Sequence, residues 1–131
     1  VDSSSDRGLL DTSVFIAGES GRGLAAVPSV AAVSVITLAE LHVGVLMADR
    51  PDVREARLRT LTRVQRLFEP LTIDIEIART FAELIAQARR QGRRLKVMDT
   101  WIAATAVAHD LTLYTQDDDF LNIPRVRIVK V

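Results

Sequence analysis

Short apolar runs alternate along this chain with longer stretches of helical periodicity, and few folds accommodate that alternation. Residues 8–10, 32–36, 69–73, 111–115 and 126–131 are runs of strand length. Between them, residues 12–20, 37–48 and 51–68 repeat apolar positions at helical spacing. A segment from Asp74 to Gln91 and another beginning at Asp99 do the same. Strand–helix alternation builds βαβ units, whose parallel strands are covered by helices on both faces. The expected fold class is therefore α/β: a three-layer α/β/α sandwich around a five-stranded parallel sheet.

Local signals set the expected helix ends. Thr37-x-x-Glu40 has the form of a capping box, with Leu38, Leu41, Val45 and Ala48 as the apolar stripe behind it. Pro51 suits a first helical turn, Asp74 an N-cap and Gly92 a C-terminal stop. Residues 21–28 read as a loop and residues 93–97 as a basic linker.

A chain of 131 residues suits one domain with one core. Residues 1–7 read as a polar, flexible tail and residues 8–131 as the domain. Cysteine is absent and only two histidines occur, His42 and His109, so thiolate sites and a histidine-based zinc site are excluded. Any metal would be held by oxygen ligands, which favours Mg²⁺ or Mn²⁺. No run approaches the ~18 apolar residues of a membrane span. The first residues lack the apolar core of a signal peptide. The expectation is a soluble, cytoplasmic protein with no membrane partner.

Lys plus Arg and Asp plus Glu balance at 17 each, so the whole-molecule field does not announce nucleic acid. The basic residues are unevenly placed, however. Arg50, Arg54, Arg57, Arg59, Arg63 and Arg66 crowd one segment, and Arg89, Arg90, Arg93, Arg94 and Lys96 another. Each is first of all part of a solvated helix face. Beside a metal site, such arginines also grip phosphates.

Four acidic positions stand where an apolar run meets a turn or a helix start. Asp11 follows Gly8-Leu9-Leu10, and Glu40 lies on the helix after the second run. Asp99 opens Asp99-Thr100-Trp101-Ile102, and Asp117 to Asp119 follow Leu113-Tyr114-Thr115. Each has a plain structural role alone: caps for Asp11 and Asp99, the capping-box acid for Glu40, an acidic turn for the triplet. Jointly they place four caps beyond the carboxyl ends of the strands, where such sheets bind ligands. Carboxylates gathered there repel one another unless a cation lies between them. Gly44, four residues past Glu40, costs roughly 1 kcal/mol relative to Ala inside a helix. It would leave Glu40 room for a ligand or water. His42, His109, Trp101 and Phe120 read as surface, helix-end and packing residues.

Assembled, these pieces resemble the PIN-domain ribonucleases, and within them the VapC toxins of bacterial toxin–antitoxin pairs. The resemblance rests first on Leu9-Leu10-Asp11-Thr12-Ser13-Val14-Phe15-Ile16, then on Val35-Ile36-Thr37-Leu38-Ala39-Glu40-Leu41 with Gly44. Met98-Asp99-Thr100-Trp101-Ile102-Ala103-Ala104 and Leu113-Tyr114-Thr115-Gln116-Asp117-Asp118-Asp119-Phe120 complete it, in the family's order. It implies a strand order of 3-2-1-4-5 and Mg²⁺- or Mn²⁺-dependent endonucleolytic cleavage of structured RNA, which inhibits translation and growth. It also implies a homodimer and a VapB-like antitoxin. Asp11, Glu40 and Asp99 match the family's acidic triad. Asp117 supplies a fourth acid, with the register against Asp119 left open. Thr115 matches the supporting hydroxyl residue, and Ser13 and Asp119 are further supporting positions. On this scheme Asp11 and Asp99 ligate the metal, Glu40 holds or orients a water, and Asp117 completes the pocket.

Three other readings compete. A haloacid-dehalogenase-like phosphatase needs an Asp-x-Asp start, but position 13 is Ser. A response-regulator receiver needs an acidic pair after the first strand and a lysine near the last strand turn. Only Asp11 stands at the first place, and Lys130 lies too close to the end of the chain. The third is a PIN fold kept as a non-catalytic binding module, its acids serving only as caps.

Overall fold

Leu9 and Leu10 point to opposite sides of one strand, and both are buried, so the first apolar run must be covered on two faces. In the computed structural model, which describes residues 7–21 and 27–131, that run is the inner strand β1 (Arg7–Leu10). It pairs in parallel with β2 (Val30–Ala32) on one side and β3 (Thr112–Thr115) on the other. β4 (Ile128–Lys130) adds to β3, giving the order β2-β1-β3-β4. The helices are α1 (Thr12–Glu19), α2 (Val35–Leu46), α3 (Pro51–Leu67), α4 (Ile75–Arg90) and α5 (Val97–Ala108), and a short 3-10 helix spans Asp118–Asn122. None of the described helices is long and apolar enough to cross a membrane.

Alternation along β1 and β3 builds two cores. Leu9 and Leu113 join Ile77 and Leu84 of α4, Ile102 of α5 and Phe120. Leu10 and Tyr114 join Leu41 and Val45 of α2 and Leu61 and Val64 of α3. Helices thus lie on both faces of the sheet. Gly8 makes this packing possible: a Cβ there would sit 2.5 Å from Tyr114 Cε1 and 2.9 Å from Pro28 Cγ.

Several expected boundaries move. The run at residues 69–73 is not a strand but a single parallel bridge from Leu71 to Ser34. Val35 N donates to Leu71 O at 2.9 Å, and Leu71 N to Val33 O at 2.9 Å. The segment keeps its place beside β2, so the spatial order 3-2-1-4-5 survives with its first member reduced. Pro70 has no N–H to extend the ladder, and the partner strand turns helical too early.

That early turn is the second correction. β2 ends at Ala32, and Ser34 caps α2 by accepting from Ile36 N at 3.0 Å. Val35 and Ile36, β-branched and strand-like in sequence, are the first helical residues. Thr37 is inside the helix and buried, so the capping box with Glu40 does not form. α5 likewise starts at Val97, which makes Asp99 its third residue and not its cap. β4 is shorter than residues 126–131. The expected tail up to residue 6, and residues 22–26 of the expected loop, lie outside the described residues.

Gly44 also has a different purpose. A Cβ at that position would meet Arg57 Nη1 of α3 at 3.0 Å, so the missing side chain admits an arginine and not a ligand. Arg57 Nε is buried there without a hydrogen-bond partner.

Candidate active site

β1 delivers Asp11 to the carboxyl edge of the sheet, where its N–H extends the ladder to Tyr114 O at 3.0 Å. The side chain caps α1 and is 4% exposed. Its Oδ2 accepts from Ser13 N at 3.3 Å, Ser13 Oγ at 2.7 Å and Thr115 Oγ1 at 2.8 Å. Each hydroxyl accepts in turn from the chain that leaves β3. Gln116 N donates to Ser13 Oγ and Asp117 N to Thr115 Oγ1, both at 2.9 Å. Both hydroxyl protons are therefore committed to Asp11, and the carboxylate is fixed in one orientation. Charge-assisted bonds of this kind are short and directional, so they set where the carboxylate points.

Glu40 comes from α2. Thr12 Oγ1 donates to its Oε1 at 2.6 Å, and Thr37 Oγ1 lies 3.5 Å from the same hydroxyl. Burial raises the Glu40 pKa, the Thr12 bond lowers it, and the Asp11 charge raises it again. Asp99 comes from the first turn of α5. Burial, then the charges of Asp11, Asp117 and Glu40, push its pKa up to about 6 against a weaker opposing pull from Lys96. Acids from three other segments thus act on one carboxyl group.

The triplet after β3 divides by direction. Asp117 caps the 3-10 helix by accepting from Asp119 N at 2.9 Å. Asp118 is exposed and paired with Lys130, while Asp119 is half-buried and paired with Lys96. Phe120 is fully buried and anchors the turn. Asp99, Asp117 and Asp119 each offer an oxygen within 4.8 Å of the other two. Asp11 is not one of that trio, although its field reaches Asp99. An oxygen-only donor set of crowded acids, one of them holding its proton to about pH 6, fits a hard divalent cation.

A protein-family model described as the PIN domain matches residues 8–126. The chain belongs to the PIN-domain family. This PIN domain is 47% identical over 126 residues to ribonuclease VapC5 of Mycobacterium tuberculosis, covering 95% of this chain and 93% of that one. It is 42% identical over 130 residues to ribonuclease VapC4 of the same organism, covering 95% and 97%. Among solved structures, a member of the VapBC toxin–antitoxin family from M. tuberculosis, VapBC-5, superposes with a TM-score of 0.86 at 43% identity. That superposition covers 96% of this chain and 99% of the other. The phosphatase and receiver readings fall with these matches.

All the acids and hydroxyls expected from the sequence stand at this one edge of the PIN domain, except that Asp118 turns away. Three contributors were not singled out in the sequence as part of the site: Thr12, which orients Glu40; Thr37, expected as a helix cap and instead buried with its hydroxyl beside that of Thr12; and Lys96, the ammonium beside Asp119. Thr12 lies inside the Asp11-Thr12-Ser13 motif, which is the one signal that could have singled it out. Lys96 looks in sequence like one more charge of a basic linker. The histidines are elsewhere. His109 ends α5, about 15 Å along the helix axis from Asp99. His42 is exposed on α2, two residues from Glu40 and so turned by roughly half a circle.

Proposed function

We propose that this PIN domain is a Mg²⁺- or Mn²⁺-dependent endoribonuclease that serves as the toxin of a toxin–antitoxin pair. The observation that carries the reading is the trio Asp99, Asp117 and Asp119, whose oxygens lie within 4.8 Å of one another beside Glu40 and Asp11. Asp11 and Asp99 would hold the ion, with Asp117 and Asp119 closing the pocket. When bound there, the ion supplies Lewis acidity, lowering the pKa of a coordinated water and offsetting charge on the phosphate.

The chain's own groups do the rest. Ser13 and Thr115 hold the Asp11 carboxylate in place. Glu40, held by Thr12 and made more basic by burial, orients the attacking water and takes its proton. That water adds to phosphorus as the ester bond to one ribose oxygen breaks. Neither histidine is placed to act as a base.

The relatives carry the biological half of the reading. Those named VapC are ribonucleases, and the VapBC-5 structure is of a toxin–antitoxin family member. We assign this chain a VapB-like antitoxin, a homodimeric state and a cytoplasmic setting. A basic side chain of the antitoxin would occupy the acidic pocket, since arginine makes bidentate contacts to carboxylates.

The test is to incubate purified protein with total RNA, with Mn²⁺ and with EDTA, and to map the new ends. Discrete cuts that vanish in EDTA are expected. Intact RNA, with no thermal stabilisation by Mn²⁺ or Mg²⁺, would return the chain to a binding module.

A further inference from the structure

The second basic cluster straddles the C-terminal end of α4. α4 ends in a two-bond turn: Arg93 N donates to Ala88 O at 2.8 Å and Gly92 N to Arg89 O at 3.0 Å. Gly92 has φ +73°, the left-handed conformation this closure needs and other side chains resist. The turn is therefore defined, and it fixes the backbone from which Arg93 and Arg94 project. They line a groove of about 570 Å³ with Arg89, Arg93 and Arg94 along it and Ile85, Leu95 and Val97 as apolar surface. A separate, smaller recess of about 130 Å³ is lined by Arg94, Leu95, Lys96, Asp99 and Asp119. Arg94 and Leu95 border both, so the groove lies next to the acidic site.

The charges of that groove are unbalanced. No carboxylate of the described residues lies within salt-bridge distance of Arg89, Arg93 or Arg94, and Arg93 is tied only to Asn122 O and Gln91. In the first basic cluster only Arg50 and Arg59 pair with carboxylates, Asp52 and Glu55, so what sets the second cluster apart is its place beside the acidic site. Like charges beside an acid cleft in an otherwise neutral chain call for a polyanion that runs past both. Arginine in the last turn of α4 has a local reason in the helix dipole. That reason does not extend to Arg94, which lies beyond the helix.

We propose that the groove formed by Arg89, Arg93 and Arg94 holds the sugar–phosphate backbone of a single-stranded RNA segment as it enters the acidic cleft. This rests on the ribonuclease reading and adds the path of its substrate. The apolar surface between the arginines favours a single strand, whose unstacked bases can lie on it, over a duplex that turns its bases inward.

The experiment uses the Asp99→Asn protein, in which bound RNA stays uncut, and a fluorescent single-stranded oligoribonucleotide followed by anisotropy over a KCl series. Adding Arg89→Ala and Arg94→Ala is expected to weaken binding about tenfold and to lower the slope of log affinity against log salt by about 1 to 1.5. Arg89→Lys with Arg94→Lys is expected to restore most of the slope. Arg63→Ala with Arg66→Ala on α3 is expected to leave it unchanged. Wild-type cleavage together with an unchanged affinity and slope in the double alanine variant would overturn the path and leave the ribonuclease standing. A double alanine loss confined to duplex RNA would overturn the single-strand assignment. Absence of both RNA cleavage by the wild type and RNA binding by Asp99→Asn would overturn the ribonuclease reading itself, and the path with it.

Discussion

At Asp99, burial and the charges of Asp11, Asp117 and Glu40 all favour the protonated acid, which lifts its pKa from 3.8 to about 6. Between those values the folded chain binds more protons than the unfolded one, so stability falls as pH rises through the window. Asp99→Asn removes the titration. In EDTA its melting temperature should exceed the parent's at pH 7, and the two should converge near pH 4. RNA cleavage should disappear in the same variant. A variant that melts lower than the parent at pH 7, or still cuts RNA, refutes this account. The substitution does not remove a cap, because Asp99 is the third residue of α5. The identities of the acids were legible because each stands at a strand end or in the first turns of a helix. Their supports were legible only in part. Thr115 and Ser13 carry the hydroxyls expected of them, whereas the Thr12–Glu40 bond joins residues 28 apart that no local pattern pairs.

Elements were easier to find in the sequence than their ends. The five helices follow their apolar periodicity, but α2 and α5 begin two residues ahead of the expected sites. Ser34 outcompetes Thr37 as a cap, and β-branched Val35 and Ile36 accept helical geometry because Leu41 and Val45 bury the same helix. Tertiary burial decided these cases over propensity. The Gly44 position tests one consequence. Ala there gains helix propensity while displacing only the mobile end of Arg57, so the stability change should stay under about 1 kcal/mol. RNA cleavage should be unaffected, and a large loss of cleavage without loss of stability would restore the idea that Gly44 makes room for a ligand. The 3-10 helix gives a ranking. Asp117→Ala should lower single-turnover cleavage at saturating Mn²⁺ most, because it removes a pocket acid and the cap on Asp119 N. Asp119→Ala should follow and Asp118→Ala should do little, since Asp118 faces solvent beside Lys130. Asp118→Ala as the most damaging of the three would contradict the observed direction of the turn.

For the whole molecule, a net charge of zero concealed an acidic edge with a cluster of arginines beside it. The sum over a chain carries no information about such a pairing, whereas a parallel sheet makes it by bringing successive strand ends to one side. Expression of the intact chain without its antitoxin should arrest bacterial growth, and Asp11→Ala should relieve the arrest at equal protein level. Undiminished growth under strong wild-type induction would count against the toxin assignment. The bond between Thr115 and Asp11 spans 104 positions of sequence. A chain still emerging from the ribosome has β1 and most of its helices before it has β3, and without β3 Asp11 lacks Thr115 and the acids at positions 117 and 119 are missing. Protein synthesis therefore delivers Asp11, Glu40 and Asp99 before the strand and turn that orient and enclose them. The acidic edge is complete only once β3 and the turn after it have been made and have paired with β1.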